Sequence, residues 1–474
     1  MKQFEVVHDA TLQLLATIGV RFASRSALEI FAKHGVSVDF EEIRVFPTSK
    51  HIEKALSTIP KTFLLYGRNV DVTPLKIGGD TPRILAGGGA VRVHELDGTY
   101  TEATWEHLAR FTTLVDALPN IDLILNPVDP APTKRNYYLH IAAQTLSGTS
   151  KPPVLQVKDG ADLAAVAEMG ACVRGSREAF HQMPLFITGT NAEPPLFVTK
   201  DGADIIMTAA KLGVPCGIGD YVMMGSTAPK TLAGAIVQRN AVQLAALLLI
   251  QLVRPGCACY YTASSGSTDM RTLNPITSGP DSLLIQRISA RLGRSFYGLP
   301  VWAHSSTDSR EPDAQAAAER TAFLFDAIEA GASIIQGPTS MMDGMLLASF
   351  AQTILDHDII GYLQSALSDQ IEINADTLAT NAIREVIEDP TYRDMKFSGH
   401  PHTAMHLSDT AWEPMAFEHR SSAESNRDGH ISLGARAASK AAVIIDGHRP
   451  EPLEKKTRRR LQAIAEEGAR RESY

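Results

Sequence analysis

A chain of 474 residues, 44% hydrophobic and 21% charged, can bury roughly three quarters of its unfolded surface, so it needs neither disulfides nor a structural metal for stability. A net charge of −8 suits solubility and argues against the basic footprint of a nucleic-acid binder. The four cysteines, Cys172, Cys216, Cys257 and Cys259, lack the spacing of a disulfide framework or zinc ribbon, and a reducing cytoplasm suits them.

The first residues mix charged and apolar side chains without an apolar core and cleavage site, which argues against a signal peptide. Phe4, Val7, Leu12 and Leu15 fall near helical spacing, and Ser26-Ala-Leu-Glu29 reads as a capping box opening a helix that stops at Gly35. Stretches 62–66 and 70–77 read as extended, a hairpin placed to close the bottom of a barrel. Residues 1–80 are thus expected to form a cap.

Eight short apolar runs come next: 83–86, 121–126, 154–158, 184–189, 215–219, 257–262, 299–304 and 333–336. Several are continuously hydrophobic, as strands covered on both faces are, and most lead toward a helical stretch. The helices are expected at 104–118, 161–173, 203–212, 230–253, 281–292, 313–330 and 345–362, with start signals at Pro229 and Asp313. This alternation predicts an α/β fold, a closed (β/α)8 TIM barrel over 81–366, with its site at the carboxyl ends of the strands. The longest apolar stretch, 241–253, is interrupted by Gln243 and Gln251; it reads as a helix pressed on the sheet, and no membrane is expected as a partner.

Residues 367–474 read as a helical extension packed on the barrel, with a polar insert at 397–426. The segment 454–471 interleaves Lys455, Lys456, Arg458, Arg459 and Arg460 with Leu461 and Ile464, the pattern of a solvated amphipathic helix. Exposed barrel helices often pair, and a homo-oligomer is expected on that ground.

Chemistry-bearing residues collect at the ends of the later runs. Asp220, Tyr221, Met223 and Met224 follow the fifth; Tyr260 and Tyr261 end the sixth; Trp302 and His304 end the seventh; Met341, Met342 and Asp343 follow the eighth. The loop 305–315 is strongly polar and carries Asp308, Arg310 and Asp313. Aromatic faces beside carboxylates suit a quaternary ammonium, whose diffuse charge donates no hydrogen bonds. Tyr221, Tyr261 and Trp302 are the expected cation cage, with Asp220 or Asp308 supplying charge. His304 or Arg310 is the expected partner of a betaine carboxylate. His400, His402 and His406 tempt as a metal cluster, but Pro401 breaks their frame and no carboxylate or cysteine stands at ligand spacing, so no metal site is expected. Cys257 and Cys259, two apart in a strand, share a face and read as core. Gly87-Gly-Gly89 and Gly217-Ile-Gly219 fit neither a dinucleotide fingerprint nor a Walker motif, and suit tight turns or close approach to a ligand. There is no nucleophile elbow, no His-Glu-x-x-His, and no carboxylate pair of a glycoside hydrolase.

Ala86-Gly-Gly-Gly-Ala90, Leu118-Pro-Asn-Ile-Asp122, Met224-Gly-Ser-Thr-Ala-Pro-Lys-Thr-Leu-Ala-Gly234, Leu252-Val-Arg-Pro-Gly256, Asp313-Ala-Gln-Ala-Ala317 and His400-Pro-His-Thr403, in this order, resemble the trimethylamine methyltransferase family over nearly the whole chain. The resemblance implies transfer of a methyl group from a methylated amine to the cobalt of a corrinoid (cobalamin) carried by a separate protein, with no cofactor tightly bound to this chain. No pyrrolysine is printed in the sequence, so the chain looks like the branch lacking it, which includes a glycine betaine methyltransferase. A quaternary amine is the substrate this implies, because it departs as a neutral amine without prior activation. Where the family pattern implies Asn-Ala-Glu, this chain has Asn240-Ala241-Val242. That departure motivates a second reading, a non-catalytic or repurposed methylated-amine-binding barrel. A metal-dependent hydrolase built on the three histidines is the third.

Overall fold

The computed structural model describes residues 2–368, 372–407, 412–427, 429 and 431–468. Each of the eight apolar runs overlaps a strand, six enclosing it and two, the third and fourth, sharing only its edge: Arg83–Ala86 (β1), Leu123–Leu125 (β2), Pro153–Val154 (β3), Thr188–Asn191 (β4), Cys216–Gly219 (β5), Tyr261–Thr262 (β6), Val301–His304 (β7) and Ile334–Gln336 (β8). Six form one curled parallel sheet in the order β3-β2-β1-β8-β7-β6, so the first and last strands are neighbours, with Ile335 opposite Ile84. β4 and β5 pair in parallel. Single parallel bridges join this pair to the larger sheet, Val154 to Ile187 on one side and Cys216 to Cys259 on the other.

Helices follow each strand: Trp105–Ala117 (α1), Tyr137–Gly148 (α2), Gly160–Arg174 (α3), Lys200–Leu212 (α4), Leu232–Val253 (α5), Pro280–Arg291 (α6), Ala314–Glu329 (α7) and Phe350–Ala366 (α8). Their caps explain several boundaries: Thr104, Asp159, Thr199 and Asp313 each accept a first-turn N–H on the side chain. Three sequence expectations shift. α2 has no counterpart among the expected helices. α5 starts after Thr231 rather than at Lys230. α8 starts late because Leu347–Ser349 pairs as a strand with Arg92–His94. α5 is long and apolar enough to cross a membrane, yet 83% of its most apolar window is buried, as a helix pressed on a sheet would be.

Side-chain alternation sorts the strand residues onto two faces. Leu85, Leu123, Val154, Ile187, Tyr260, Trp302 and Ile334 share one apolar cluster inside the curl. Leu65 and Ile77 of the antiparallel hairpin Phe63–Leu65 and Leu75–Ile77 join that cluster, so the hairpin meets the inner face. The outward residues pack under the helices in two larger clusters. Burying each large side chain there stabilises by about 1.5–3 kcal/mol.

The N-terminal helix Lys2–Thr17 packs on α5, and Val20–Phe22 pairs with Phe197–Val198. The next helix, Arg25–Lys33, corrects the expected capping box: Ser24 is its N-cap residue and Ser26 lies within it. Ser24 Oγ donates to Asp204 Oδ1 at 2.8 Å instead of capping. Leu433–Gly447 packs on α8, and Lys455–Glu467 packs on α2 and α3, burying Leu461 and Ile464 with Lys455, Lys456, Arg458 and Arg459 exposed. The last residues of the 454–471 segment, 469–471, lie outside the described residues.

Candidate functional site at the carboxyl ends of the strands

A cavity of about 290 Å³ opens where the parallel strands end. Asp220 and Tyr221 reach it directly after β5, Tyr260 from just before β6 and Thr262 from its end, Trp302 and His304 from β7, and Gln336 from β8. Four of the expected site residues therefore converge: Asp220, Tyr221, Trp302 and His304.

Three do not. Tyr261 points away from the cavity, into the layer between sheet and helices, where its Oη donates to Asn240 Oδ1 at 3.1 Å. The inward ring is its neighbour Tyr260, because successive strand residues face opposite sides. Asp308 is spent on loop structure, accepting from the N–H of Thr277 and of Ser278 and from Thr277 Oγ1. Arg310 is 76% exposed and pairs with Asp343 at 3.0 Å. Met223, Met224, Met341, Met342, Asp313 and Asp343 also lie outside the wall, whereas Met345 is part of it. Gln156, Asn191, Thr262 and Gln336 are wall residues that sequence reasoning misses; each stands at or just past a strand end, and that position is the available signal.

The two large rings are fixed by their polar edges. Trp302 Nε1 donates to Gln336 Oε1 at 3.0 Å, and Gln336 Nε2 donates on to the Gly87 carbonyl. Tyr260 Oη donates to the Thr188 carbonyl at 3.0 Å. With these edges committed to the wall, the rings, 5.0 Å apart between centroids, offer the cavity their apolar surface. Glycine makes the space: a Cβ on Gly189 or Gly217 would stand 2.4 Å from Tyr260, so only a bare backbone admits that ring. Tyr221 stacks on His304 in the same wall, 6.1 Å between centroids and 25° between planes.

Asp220 is 1% exposed and neither carboxylate oxygen has a hydrogen-bond partner. Burial pushes its carboxyl up to about 7, against a smaller opposing pull from Arg239. His304 is pushed down to about 4 by burial, so its ring is neutral at physiological pH. Burial also raises the Tyr221 and Tyr260 hydroxyls above their ordinary value. The cavity thus combines aromatic faces, neutral donors and one desolvated carboxyl that lacks a partner.

The surrounding shell is tied together by hydrogen bonds and a buried ion pair. Gln286 brackets β7, accepting from His304 N at 2.9 Å and donating to His304 O at 2.8 Å. Arg320, fully buried, pairs with Asp356 at 3.1 Å and donates to the carbonyls of Ser305, Gly337 and Met341, tying the loops after β7 and β8 together. Gln243 of α5 holds Thr262 N and Ile218 O. Val242 is fully buried in the apolar layer under α5, so the position expected to present an acid to the site faces the core.

The tempting histidines lie elsewhere. His400 accepts from His402 N, capping the short helix Pro401–Met405, and meets Glu385 at 3.1 Å. Among the described residues no group of three or more His, Cys, Asp or Glu side chains is placed to hold a metal ion.

The family model described as trimethylamine methyltransferase (MTTB) matches residues 1–472. This chain belongs to the trimethylamine methyltransferase family. It is similar to a trimethylamine methyltransferase of Desulfitobacterium hafniense, 28% identical over 98% of this chain and 92% of that one. A glycine betaine methyltransferase of the same species is 28% identical over 76% of this chain and 75% of its own length. A proline betaine:corrinoid methyltransferase of Eubacterium limosum is 29% identical, over 76% of this chain and 75% of its own.

Proposed function

We propose that this chain transfers a methyl group from a quaternary amine of the betaine type to the Co(I) corrinoid of a partner protein, with the cavity at the strand ends as the amine site. The single observation that carries the reading is Asp220, a buried carboxyl with both oxygens unpartnered, facing a cavity walled by Tyr260, Trp302 and Tyr221. A buried carboxylate without a hydrogen-bond partner is costly, and the ammonium head of a guest would meet it directly. Ring faces hold the methyl groups, each cation–π contact contributing roughly 0.5–2 kcal/mol.

The chemistry asks little acid–base help from the protein. The bond between one methyl carbon and nitrogen breaks, its electron pair stays on nitrogen, and a neutral tertiary amine departs while the methyl passes to cobalt. Opposite charges are annihilated along the way, so a water-poor site favours the transition state over the better hydrated reactants. Neutral His304 fits a reaction that needs no general acid. The wall's task is to aim one methyl outward toward the docked partner.

The same reading treats the two sheets as one closed (β/α)8 barrel, supported by the bridges Val154 to Ile187 and Cys216 to Cys259 that link them. Residues 81–366 would be that barrel, 1–80 its cap and 367–474 its helical extension; the four free cysteines suit a cytoplasmic setting. The non-catalytic alternative rests on Val242, which is buried in the layer under α5 and is not part of the cavity wall. The test is a methyl-transfer assay with the reduced corrinoid partner: demethylation of a quaternary amine, dependent on Co(I), is the expected result. Absence of transfer from every quaternary amine offered would overturn the proposal.

A further inference from the structure

Two opposite charges are buried beside the cavity without touching. Asp220 lies in the wall with both oxygens unpartnered. Arg239 of α5 is 0% exposed; its Nη2 donates to the Thr262 carbonyl at 2.6 Å, while Nε and Nη1 have no partner. Since Thr262 is itself a wall residue, the guanidinium sits one residue behind the cavity surface. A guanidinium keeps its charge at any ordinary pH, and its burial without a bound carboxylate is expensive.

Three further ionisable groups near the cavity are neutral or already balanced. His304 is neutral, Asp308 spreads its charge over the Thr277 and Ser278 donors, and Arg320 is matched by Asp356. Asp220 and Arg239 are the opposite charges beside the cavity whose polar atoms lack partners. With Asp220 ionised, the empty site is electrically neutral.

Resting on the amine-site reading above, we infer that Arg239 is a specificity-determining residue: its charge behind Thr262 restricts the guest to a net-neutral, zwitterionic quaternary amine and disfavours a bare cation. A zwitterion leaves the desolvated site neutral, its ammonium facing Asp220 and its carboxylate gaining from the guanidinium field. A bare cation leaves an uncompensated positive charge. Coulomb's law for unit charges about 7 Å apart, at an effective dielectric of about 20, makes Arg239 worth about 10- to 50-fold in that discrimination.

Calorimetric titration with glycine betaine and with choline tests this, because the two share a trimethylammonium head and differ chiefly in the carboxylate. The wild-type chain is expected to prefer glycine betaine by at least about 10-fold. Arg239→Gln is expected to cut that ratio by about 10- to 50-fold, and Arg239→Lys, which keeps the charge, to preserve most of it. A general loss of packing would weaken both ligands together and leave the ratio intact. An unchanged ratio in Arg239→Gln, or a wild-type preference for choline, overturns the inference while the amine site stands. Binding of neither ligand to the wild type overturns the amine site itself, and the inference with it. Should Arg239→Gln fail to fold, the wild-type and Arg239→Lys ratios decide: a ratio near one in both refutes the role.

Discussion

Replacing Asp220 by Asn should make the ligand-free protein more stable and abolish its stabilisation by quaternary amines. The carboxyl ordinarily titrates near 3.8 and here titrates at about 7, chiefly because it is buried. Between those values the folded state holds a proton that the unfolded chain has released, so stability falls as pH rises through this window and levels off above it. At about 1.36 kcal/mol per pH unit, the ionised group costs the fold roughly 1.5 kcal/mol at pH 5 and roughly 4 kcal/mol at pH 8. Asparagine keeps the shape and carries no charge, so the gain should grow by about 2.5 kcal/mol between the two pH values, or about 2–3 °C in Tm for a chain of this size. Differential scanning calorimetry of both proteins at pH 5 and pH 8, with and without glycine betaine, measures it. A variant less stable at both pH values, or a gain independent of pH, would mean that Asp220 has a partner in the folded protein and would refute the reasoning.

Affinity for a quaternary amine should rise with pH through about 7 and then level, because only the ionised Asp220 balances the guest; His304→Asn should leave that midpoint in place, His304 being neutral throughout. Calorimetric titration from pH 5.5 to 8.5 reads both. Trp302→Leu or Tyr260→Leu should weaken amine binding by about 5- to 30-fold through lost ring surface. Tyr261→Phe should leave binding unchanged and cost about 1 kcal/mol of stability in equilibrium denaturation, since it loses only the bond to Asn240. Arg310→Ala should change neither affinity nor stability measurably, its partner Asp343 being met at an exposed site.

The strands are legible because their covered faces make them apolar runs, and every one of the eight runs overlaps a strand, though the third and fourth do so only at an edge. Helix α2 is not: Tyr137–Gly148 follows the loop residues Asn126-Pro-Val-Asp-Pro130 and begins without a capping side chain, so no start signal marks it. The site is half legible for a reason of geometry. Strand ends tell which loops meet, and that is enough to find Asp220, Tyr221, Trp302 and His304; it does not tell which of two adjacent side chains turns inward. The residues themselves contain that information. Cys257 and Cys259 read as the packed face, and Tyr261 shares their parity, which leaves Tyr260 for the cavity. Gly189 and Gly217, which make room for Tyr260, are intelligible only once the neighbouring strands are in register. Asp308 and Arg310 mislead because a polar loop after a strand looks the same whether its charges face a ligand or tie the loop to its neighbours. Arg239 gives no local signal at all: it sits within a long apolar helix, and its role depends on Thr262 from a strand.

The most direct measurement is a crystal structure of the protein soaked with glycine betaine. The ammonium nitrogen is expected beside Asp220 and within about 6 Å of the Tyr260 and Trp302 ring centroids, with one methyl directed out of the cavity. A betaine bound with its carboxylate against Asp220, or bound away from these rings while the cavity stays filled with water, would contradict the account.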